Sequence, residues 1–345
     1  MILDNSSAPS SDSTMSPASS SQSSAQAAVN AADLAFVFPG QGSQSLGMLA
    51  DLAAEFGIVE ETFAEASAGA HVDLWALSQN GPEADLNRTE NTQPALLAAG
   101  VAVWRVWRAL GGAVPAVLAG HSLGEYTALV CAGALGLADA AGLVAERGRL
   151  MQAAVPQGVG AMAAILGGDD AQIAEVCAEV AQGQVVAPAN YNAPGQLVIA
   201  GHAEAVDRVI ARLAELGVRK AVKLAVSVPS HCALMRDAAD RLAEKFGEIA
   251  WASPTIPVIQ NAEAKAYSSV EEIRTALARQ LYMPVRWTES MHALAARGTV
   301  RVAECGPGKV LTGLLKRIER TLEGRAIGAP GEMSQAIADW SAVSR

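Results

Sequence analysis

The sequence predicts an α/β fold with a mainly parallel sheet covered by helices on both faces. Two observations support this prediction. Short apolar runs bounded by Gly or Pro have the length and composition of buried strands, and helix-like segments alternate with them. The strand candidates are 34–40, 116–120, 161–167, 196–201, 220–228, 256–261 and 300–306, and clear helix candidates are 94–111 and 204–217. Continuous apolar strands separated by helices are typical of a parallel sheet with two buried faces.

A different order of elements predicts a second, smaller domain at residues 156–228. This stretch gives a strand, a helix, a paired strand region ("QVVAPANYNAPGQLVIAG"), a helix and a strand. That order matches a ferredoxin-like α+β unit. Because the unit lies inside the larger pattern, we expect an inserted domain and a cleft between the two domains.

Composition disfavours several functional classes. The 345 residues carry a formal net charge of −10, which should repel nucleic acid and anionic membranes. The four cysteines lie far apart without a CxxC pair, so we expect neither a zinc cluster nor a disulfide framework. No apolar run approaches the length of about 18 residues that a membrane span needs. We therefore expect a cytoplasmic protein with reduced thiols and no metal site.

The N-terminal segment 1–32 differs from the rest of the chain. It is rich in Ser and Ala, nearly uncharged and almost free of large apolar side chains. It has neither the basic nor the apolar region of a secretory signal. Such a segment buries too little surface to offset its ordering entropy, so we expect a disordered tail without a role in chemistry.

A serine between two glycines is the most informative local pattern. Gly120-His121-Ser122-Leu123-Gly124 follows an apolar strand candidate and precedes a helix-like run. This strand–turn–helix context is typical of a nucleophile elbow, in which the serine is exposed above the sheet at a helix N-terminus. The alternative is that Ser122 only caps the helix.

A nucleophilic serine needs a base, and the residues alone leave two candidates. His121 adjoins Ser122, but its side chain should leave the turn in another direction. His71 and His292 lie in segments that suggest structural or solvated roles. His202 and His231 each follow a strand-like run, where α/β enzymes place functional residues. The pattern barely separates these two.

An arginine on an apolar helix stripe is the second informative feature. Arg147 lies on the same face as Leu143, Val144, Leu150 and Met151, whereas Arg149 lies on the polar face. A buried guanidinium needs an anionic partner. That partner is either an internal carboxylate or a substrate carboxylate, for which the planar fork is well suited.

Several longer motifs occur in the order found in one enzyme family. They are "FVFPGQGSQ", "GHSLGEYTALVCAG", "ERGRLMQ", "NYNAPGQLVIAG", "VSVPSHCALM" and "GPGKVLTGL". The chain resembles the malonyl-CoA:acyl-carrier-protein transacylases of bacterial fatty-acid synthesis from about Leu34 to about Thr321. The resemblance implies an α/β-hydrolase-like large domain at 33–155 and 229–325, the small domain at 156–228 and a C-terminal segment at 326–345.

The resemblance also implies the catalytic pair. Ser122 in GHSLG matches the nucleophile, and His231 in VPSHCALM matches the general base, so the resemblance favours His231 over His202. Gln280 matches the residue whose backbone carbonyl orients the histidine. Met283, close to Gln280, departs from the usual family pattern, but a main-chain role at Gln280 should tolerate that difference.

Substrate recognition is implied in the same way. Arg147 in ERG matches the arginine that binds the malonyl carboxylate. Gln41, in the Gly-rich loop 38–48, and Leu123 match the residues whose backbone N–H groups form the oxyanion hole. That loop lacks the lysine and spacing of a nucleotide-binding loop.

The activity implied is transfer of malonyl from malonyl-CoA to the phosphopantetheine thiol of acyl carrier protein, by a monomer without a bound cofactor. Two basic clusters are candidates for docking the acidic carrier, although ordinary solvated surface charge is an equal alternative. The candidates are Arg219, Lys220, Lys316 and Arg317. Alternative activities are a serine hydrolase or thioesterase, and an acyltransferase that serves a polyketide synthase.

Overall fold

The computed structural model describes residues 30–218, 220–226 and 228–342. Residues 1–29 of the predicted tail lie outside the described residues, whereas residues 30–32 belong to the first strand. The strands are β1 (Asn30–Phe38), β2 (Val114–Gly120), β3 (Gly160–Leu166), β4 (Val186–Ala193), β5 (Gln196–His202), β6 (Lys220–Lys223), β7 (Val258–Gln260), β8 (Lys265–Ala266), β9 (Arg301–Glu304) and β10 (Glu323–Ala326).

Helices occupy most of the intervening chain. They are α1 (Ala50–Glu55), α2 (Ile58–Ala70), α3 (Leu74–Asn80), α4 (Glu83–Leu86), α5 (Thr89–Ala109), α6 (Gly124–Cys131), α7 (Leu137–Ala154), α8 (Asp170–Glu179), α9 (Ala203–Glu215), α10 (Arg236–Lys245), α11 (Val270–Gln280), α12 (Trp287–Ala296), α13 (Val310–Ile318) and α14 (Pro330–Ala342). None of the helices in the described ranges is long and apolar enough to cross a membrane.

The larger sheet has the strand order β10-β9-β1-β2-β7-β8. All neighbouring strands are parallel except β7 and β8, which are antiparallel. Alternate side chains of β1 enter different cores, because Phe36 and Phe38 pack in one hydrophobic cluster and Ala35 and Val37 in another. Both faces of the sheet are therefore buried, and the predicted mainly parallel sheet is confirmed.

The smaller sheet has the order β4-β5-β3-β6, and its neighbouring strands are antiparallel. Helices α8 and α9 cover one face, around Ile165, Leu197 and Ile199. This is the predicted ferredoxin-like unit. Met162 and Val198 on the opposite face pack near Cys232, so the small sheet lies against the chain of the large domain.

The small domain also pairs with the large domain through its main chain. The Tyr191 N–H of β4 donates to the Val285 carbonyl at 2.9 Å, and the Val285 N–H donates to the Ala189 carbonyl at 2.8 Å. Val285 lies five residues after the end of α11. These bonds fix the small sheet beside the segment that follows Gln280.

The C-terminal segment is part of the large domain. Strand β10 extends the parallel sheet, and Trp340 of α14 lies with its ring centroid 6.1 Å from that of Trp107. We propose residues 30–155 and 229–342 as the large domain, because β1 begins before residue 33 and β10 crosses the predicted boundary at 325. For the small domain we propose 156–228.

Candidate active site

Ser122 lies in a tight turn between β2 and α6. Its φ angle is 53°, in the left-handed region that non-glycine residues rarely adopt. A Cβ on Gly120 would lie 1.9 Å from the Gly124 carbonyl carbon, and one on Gly124 would lie 2.1 Å from the Phe38 carbonyl oxygen. Both glycines therefore permit the close approach of strand, turn and helix, as predicted for a nucleophile elbow.

Asn261, just after β7, holds this turn from beneath. Its Oδ1 accepts the Ser122 N–H at 2.7 Å, and its Nδ2 donates to the Gly120 carbonyl at 2.6 Å. Asn261 is fully buried, and its own N–H donates to the carboxylate of Glu125 at 2.8 Å. Sequence reasoning missed Asn261, because an asparagine at a strand end is an ordinary turn residue.

His231 meets the serine across a sequence separation of 109 residues. Its Nε2 lies 2.8 Å from Ser122 Oγ, and its Nδ1 lies 2.7 Å from the Gln280 carbonyl oxygen. A carbonyl can only accept, so Nδ1 carries the proton and Nε2 is free to accept the hydroxyl proton. The main-chain N–H of His231 donates to the Leu281 carbonyl at 3.0 Å, which fixes the loop.

The environment keeps His231 neutral. Burial, together with the charge of Arg147, lowers the pKa of His231 to about 3. The ordinary pKa of a histidine is about 6.5. The difference arises because a buried imidazolium would be both desolvated and next to a guanidinium. At neutral pH the imidazole is therefore in the form that accepts a proton.

Arg147 of α7 is fully buried beside the serine. Its Nη1 donates to Gln93 Oε1 at 2.6 Å, and its Nη2 donates to Gln280 Oε1 at 3.1 Å and to Ser122 Oγ at 3.2 Å. Within the described ranges no carboxylate lies within ion-pair distance of it, and its Nε has no hydrogen-bond partner. Among the described residues, Arg147 therefore does not form the direct ion pair with an internal carboxylate that the sequence left open.

Gln280 contributes its side chain as well as its carbonyl. Its Nε2 donates to the Ser122 carbonyl at 2.8 Å and to Glu125 Oε2 at 3.2 Å, while its Oε1 accepts from Arg147. The family resemblance implies only a main-chain role at this position. Gln280 thus forms hydrogen bonds with Ser122, His231 and Arg147.

The Gly-rich loop after β1 lies against the elbow. A Cβ on Gly40 would lie 2.6 Å from the His121 carbonyl oxygen, so only glycine permits this contact. The Gln41 side chain accepts from Thr89 Oγ1 at 2.9 Å. In the described chain the backbone N–H groups of Gln41 and Leu123 have no hydrogen-bond acceptor. Two main-chain donors near the serine are thus available to a ligand.

A cavity of about 340 Å³ opens above Ser122 and His231. Gln41 contributes to its wall from the large domain, and Met162 and Asn190 contribute from the small sheet. The cleft predicted between the two domains is therefore present, and it contains the serine and the histidine. Its volume is in the range of small-ligand sites.

His121 and His202 hydrogen-bond to partners other than the serine. His121 Nε2 lies 2.8 Å from Asn192 Oδ1, and its ring packs 5.4 Å from that of Trp287, so it leaves the turn in another direction as predicted. His202 Nδ1 accepts the Val185 N–H at 2.9 Å within the small domain. The tie between His202 and His231 is thus resolved by geometry in favour of His231.

The docking candidates that the structure describes do not line the cavity above the serine. Lys220, Lys316 and Arg317 are exposed, and Arg219 lies outside the described residues. Arg317 Nη1 donates to Gln196 Oε1 at 3.3 Å, which joins α13 to the small sheet. Lys220 and Gln196 both pair with Leu166, so Lys220 lies about 10 Å from Gln196 across two strand spacings.

Comparison with known proteins identifies the family. The acyl transferase domain family matches residues 35–336, so the expected end of the resemblance at Thr321 is wrong. A malonyl CoA-acyl carrier protein transacylase of Salmonella typhimurium is 58% identical over 303 residues, which cover 88% of this chain and 98% of that protein. A Bacillus subtilis protein of the same name is 42% identical over 305 residues, which cover 88% and 96%.

Solved structures give the same result. The malonyl-CoA:acyl carrier protein transacylase of Xanthomonas oryzae pv. oryzae superposes with a TM-score of 0.90 at 62% identity, covering 90% of this chain and 99% of that one. A malonyl-transacylase in complex with a type II polyketide acyl carrier protein superposes with a TM-score of 0.88 at 55% identity, covering 89% and 99%. The chain belongs to the malonyl-CoA-acyl carrier protein transacylase family of acyl transferases.

Proposed function

We propose that the protein transfers the malonyl group from malonyl-CoA to the phosphopantetheine thiol of acyl carrier protein through a malonyl ester of Ser122. The observation that carries the proposal is the position of Arg147. Its buried guanidinium lies 3.2 Å from Ser122 Oγ and is held by amide oxygens rather than by a carboxylate. An acyl group on this serine can therefore place its own carboxylate on the arginine.

In the first step, Ser122 Oγ attacks the thioester carbonyl carbon while His231 Nε2 takes the hydroxyl proton. The oxyanion accepts hydrogen bonds from the N–H groups of Gln41 and Leu123, each worth about 3–4 kcal/mol in reactions of this kind. Collapse of the tetrahedral intermediate breaks the carbon–sulfur bond. The His231 proton passes to the departing thiolate, and coenzyme A leaves as the free thiol.

The second step repeats the chemistry with another thiol. His231, neutral again, accepts the proton of the phosphopantetheine thiol, whose sulfur attacks the malonyl ester. The same two N–H groups bind the oxyanion, and the proton returns to Ser122 as the ester bond breaks. Both steps use side chains, main-chain amides and two substrates, so the proposal requires no cofactor.

The orientation of the base supports transfer rather than hydrolysis. Serine hydrolases of this fold usually orient the histidine with Asp or Glu, whereas His231 Nδ1–H donates to the Gln280 carbonyl. The buried Arg147 would have no part in a general hydrolase. A polyketide carrier is a possible acceptor in the same reaction, because one similar structure contains such a carrier. The expected monomeric state and cytoplasmic location stay predictions.

A chase experiment tests transfer against hydrolysis. Enzyme loaded with radiolabelled malonyl-CoA and freed of excess substrate should keep its label, and it should pass the label to a phosphopantetheinylated carrier within seconds of its addition. A carrier without the phosphopantetheine arm is the control and should receive no label. Rapid release of free malonate before any carrier is added would favour a thioesterase and contradict the proposal.

We further propose that the basic residues of α13 contribute to docking of the carrier. Lys316 and Arg317 lie in the last turn of that helix with both side chains exposed. Acidic carriers are attracted by such a cluster at low salt.

Charge reversal with Lys316→Glu and Arg317→Glu should raise KM for the carrier severalfold and leave KM for malonyl-CoA unchanged. Charge reversal at Arg149, which is exposed on α7, pairs with Glu146 and does not line the cavity, is the control. Unchanged carrier KM would remove these residues from the proposed site.

A further inference from the structure

Glu125 is a buried carboxyl group for which the two-step reaction has no use. It lies in the first turn of α6, three residues after the nucleophile, and is 0% exposed. Its Oε2 accepts from the Asn261 N–H at 2.8 Å and from Gln280 Nε2 at 3.2 Å. In the described chain its Oε1 is buried without a hydrogen-bond partner. A carboxylate with one unpartnered oxygen in the interior is costly unless a positive charge is near.

That positive charge is Arg147, which Glu125 meets through one amide group. Gln280 accepts from the Arg147 guanidinium with Oε1 and donates to Glu125 with Nε2. The amide dipole is thus aligned between the cation and the carboxylate. Where Glu125 is ionised, its carboxylate and the Arg147 guanidinium attract each other across this amide.

The other elements that pack against α6 bring one further charge towards Glu125. Glu263, in the loop after β7, repels it, but Glu263 is itself paired with Arg279 and bonded to the Tyr267 hydroxyl. Among the described residues, α5, β1 and β2 add no charged group to this environment. Burial raises the pKa of Glu125 to about 7, against the opposing effects of its hydrogen bonds and of Arg147.

A substrate carboxylate changes this balance. When it pairs with the guanidinium, two carboxylates share one buried cation, and the attraction between Arg147 and Glu125 is offset by repulsion from the new anion. A proton on Glu125 removes that repulsion. Protonation also relieves the unpartnered buried oxygen of its charge.

We propose that Glu125 is the resting counter-charge of Arg147 and takes up a proton from solvent when the malonyl carboxylate binds the guanidinium. This inference rests on the proposed function. Acyl recognition is then coupled to a buried proton, so the affinity for malonyl-CoA depends on pH although the malonyl carboxylate itself does not titrate near neutrality. Affinity is constant where Glu125 is already protonated. Above that range, it falls by up to about tenfold per pH unit.

Calorimetry with the Ser122→Ala enzyme measures the proton directly, since this variant binds malonyl-CoA without reacting. Titrations in two buffers of different ionisation enthalpy should give an uptake approaching about one proton per site at pH 8 and much less at pH 6. Acetyl-CoA is the matched ligand, because it carries the same nucleotide and phosphates but no acyl carboxylate. In the free enzyme His231 is neutral, because burial and Arg147 lower its pKa to about 3, and the Glu125→Gln variant below separates proton uptake at Glu125 from uptake at His231. Equal uptake with both ligands would overturn the inference.

Glu125→Gln keeps the shape of the side chain and removes its titration. In the Ser122→Ala background this change should abolish malonyl-specific uptake and flatten the pH dependence of the dissociation constant. The control is Glu263→Gln, which should retain both. If Glu125→Gln does not fold, the comparison of malonyl-CoA with acetyl-CoA in the Ser122→Ala enzyme still tests whether proton uptake is specific to the malonyl group. Failure of wild-type enzyme to form a malonyl ester would instead refute the proposed function.

Discussion

Replacing His231 by alanine is expected to lower the rate of Ser122 acylation by about 10²–10⁴-fold. The imidazole is the group that lies 2.8 Å from the serine hydroxyl, and its Nδ1–H bond to the Gln280 carbonyl leaves Nε2 able to accept the proton. Without it, the hydroxyl has no base within hydrogen-bond distance and must lose its proton to water. Rapid-quench measurement of coenzyme A release in the first turnover reports this step separately from carrier binding.

His202→Ala is the matched control for this change. From the sequence the two histidines are nearly equal candidates, but His202 Nδ1 bonds to the Val185 N–H in the small domain. Its loss should leave the acylation rate within about twofold when the melting temperature is unchanged. Acylation that is equally fast in His231→Ala and wild type would remove His231 as the base.

Arg147→Ala is expected to lower kcat/KM for malonyl-CoA by about 10²–10³-fold. The ratio of kcat/KM for malonyl-CoA to that for acetyl-CoA should therefore decrease. The bound malonyl carboxylate pairs with the guanidinium, and an acetyl group leaves that buried charge unpaired, which costs about 3–5 kcal/mol in comparable pairs. Without the guanidinium, the site has no positive group with which to distinguish the two acyl chains. Competition between the two thioesters, followed by mass spectrometry of the acyl-enzyme, measures the ratio.

Arg149→Ala tests whether the loss of malonyl preference is specific to the arginine at position 147. Arg149 lies two residues away on the exposed face of α7 and pairs with Glu146 at 2.8 Å. Its removal should leave the preference for malonyl unchanged. An Arg147→Ala enzyme that retained the full malonyl preference would contradict the role assigned to the guanidinium.

The parts of the site that come from local pattern could be predicted from the sequence. The glycines on either side of Ser122 indicate a tight turn because close packing excludes a Cβ there. Arg147 is found because a charged residue interrupts an apolar helix stripe. The parallel sheet and the ferredoxin-like unit follow from strand composition and element order.

The parts that depend on contacts between distant segments could not be predicted in this way. His231 is indistinguishable from His202 by pattern, and the family resemblance was needed to prefer it. Gln93, Asn261 and the Gln280 side chain are buried amides whose sequence neighbourhoods are ordinary for a helix or a turn. Nothing local indicates that the three amides meet around Ser122 and Arg147.

Glu125 shows the same limit for a charged residue. An acidic residue in the first turn of a helix is expected at the surface, where it interacts with the helix dipole. Here α6 is buried on nearly every side, so the carboxyl group is enclosed and its pKa is raised to about 7, chiefly by burial. An acidic residue in the first turn of α6 is ordinary in the sequence, and only the fold places Glu125 beside Gln280.

The most direct test of the central claim is the location of the acyl group in enzyme treated with malonyl-CoA alone. Intact mass spectrometry should give an increase of one malonyl group in the wild type and none in Ser122→Ala, and peptide mapping should place the group on residue 122. A malonyl adduct of equal yield in Ser122→Ala, or an adduct on another residue of the wild type, would contradict the account.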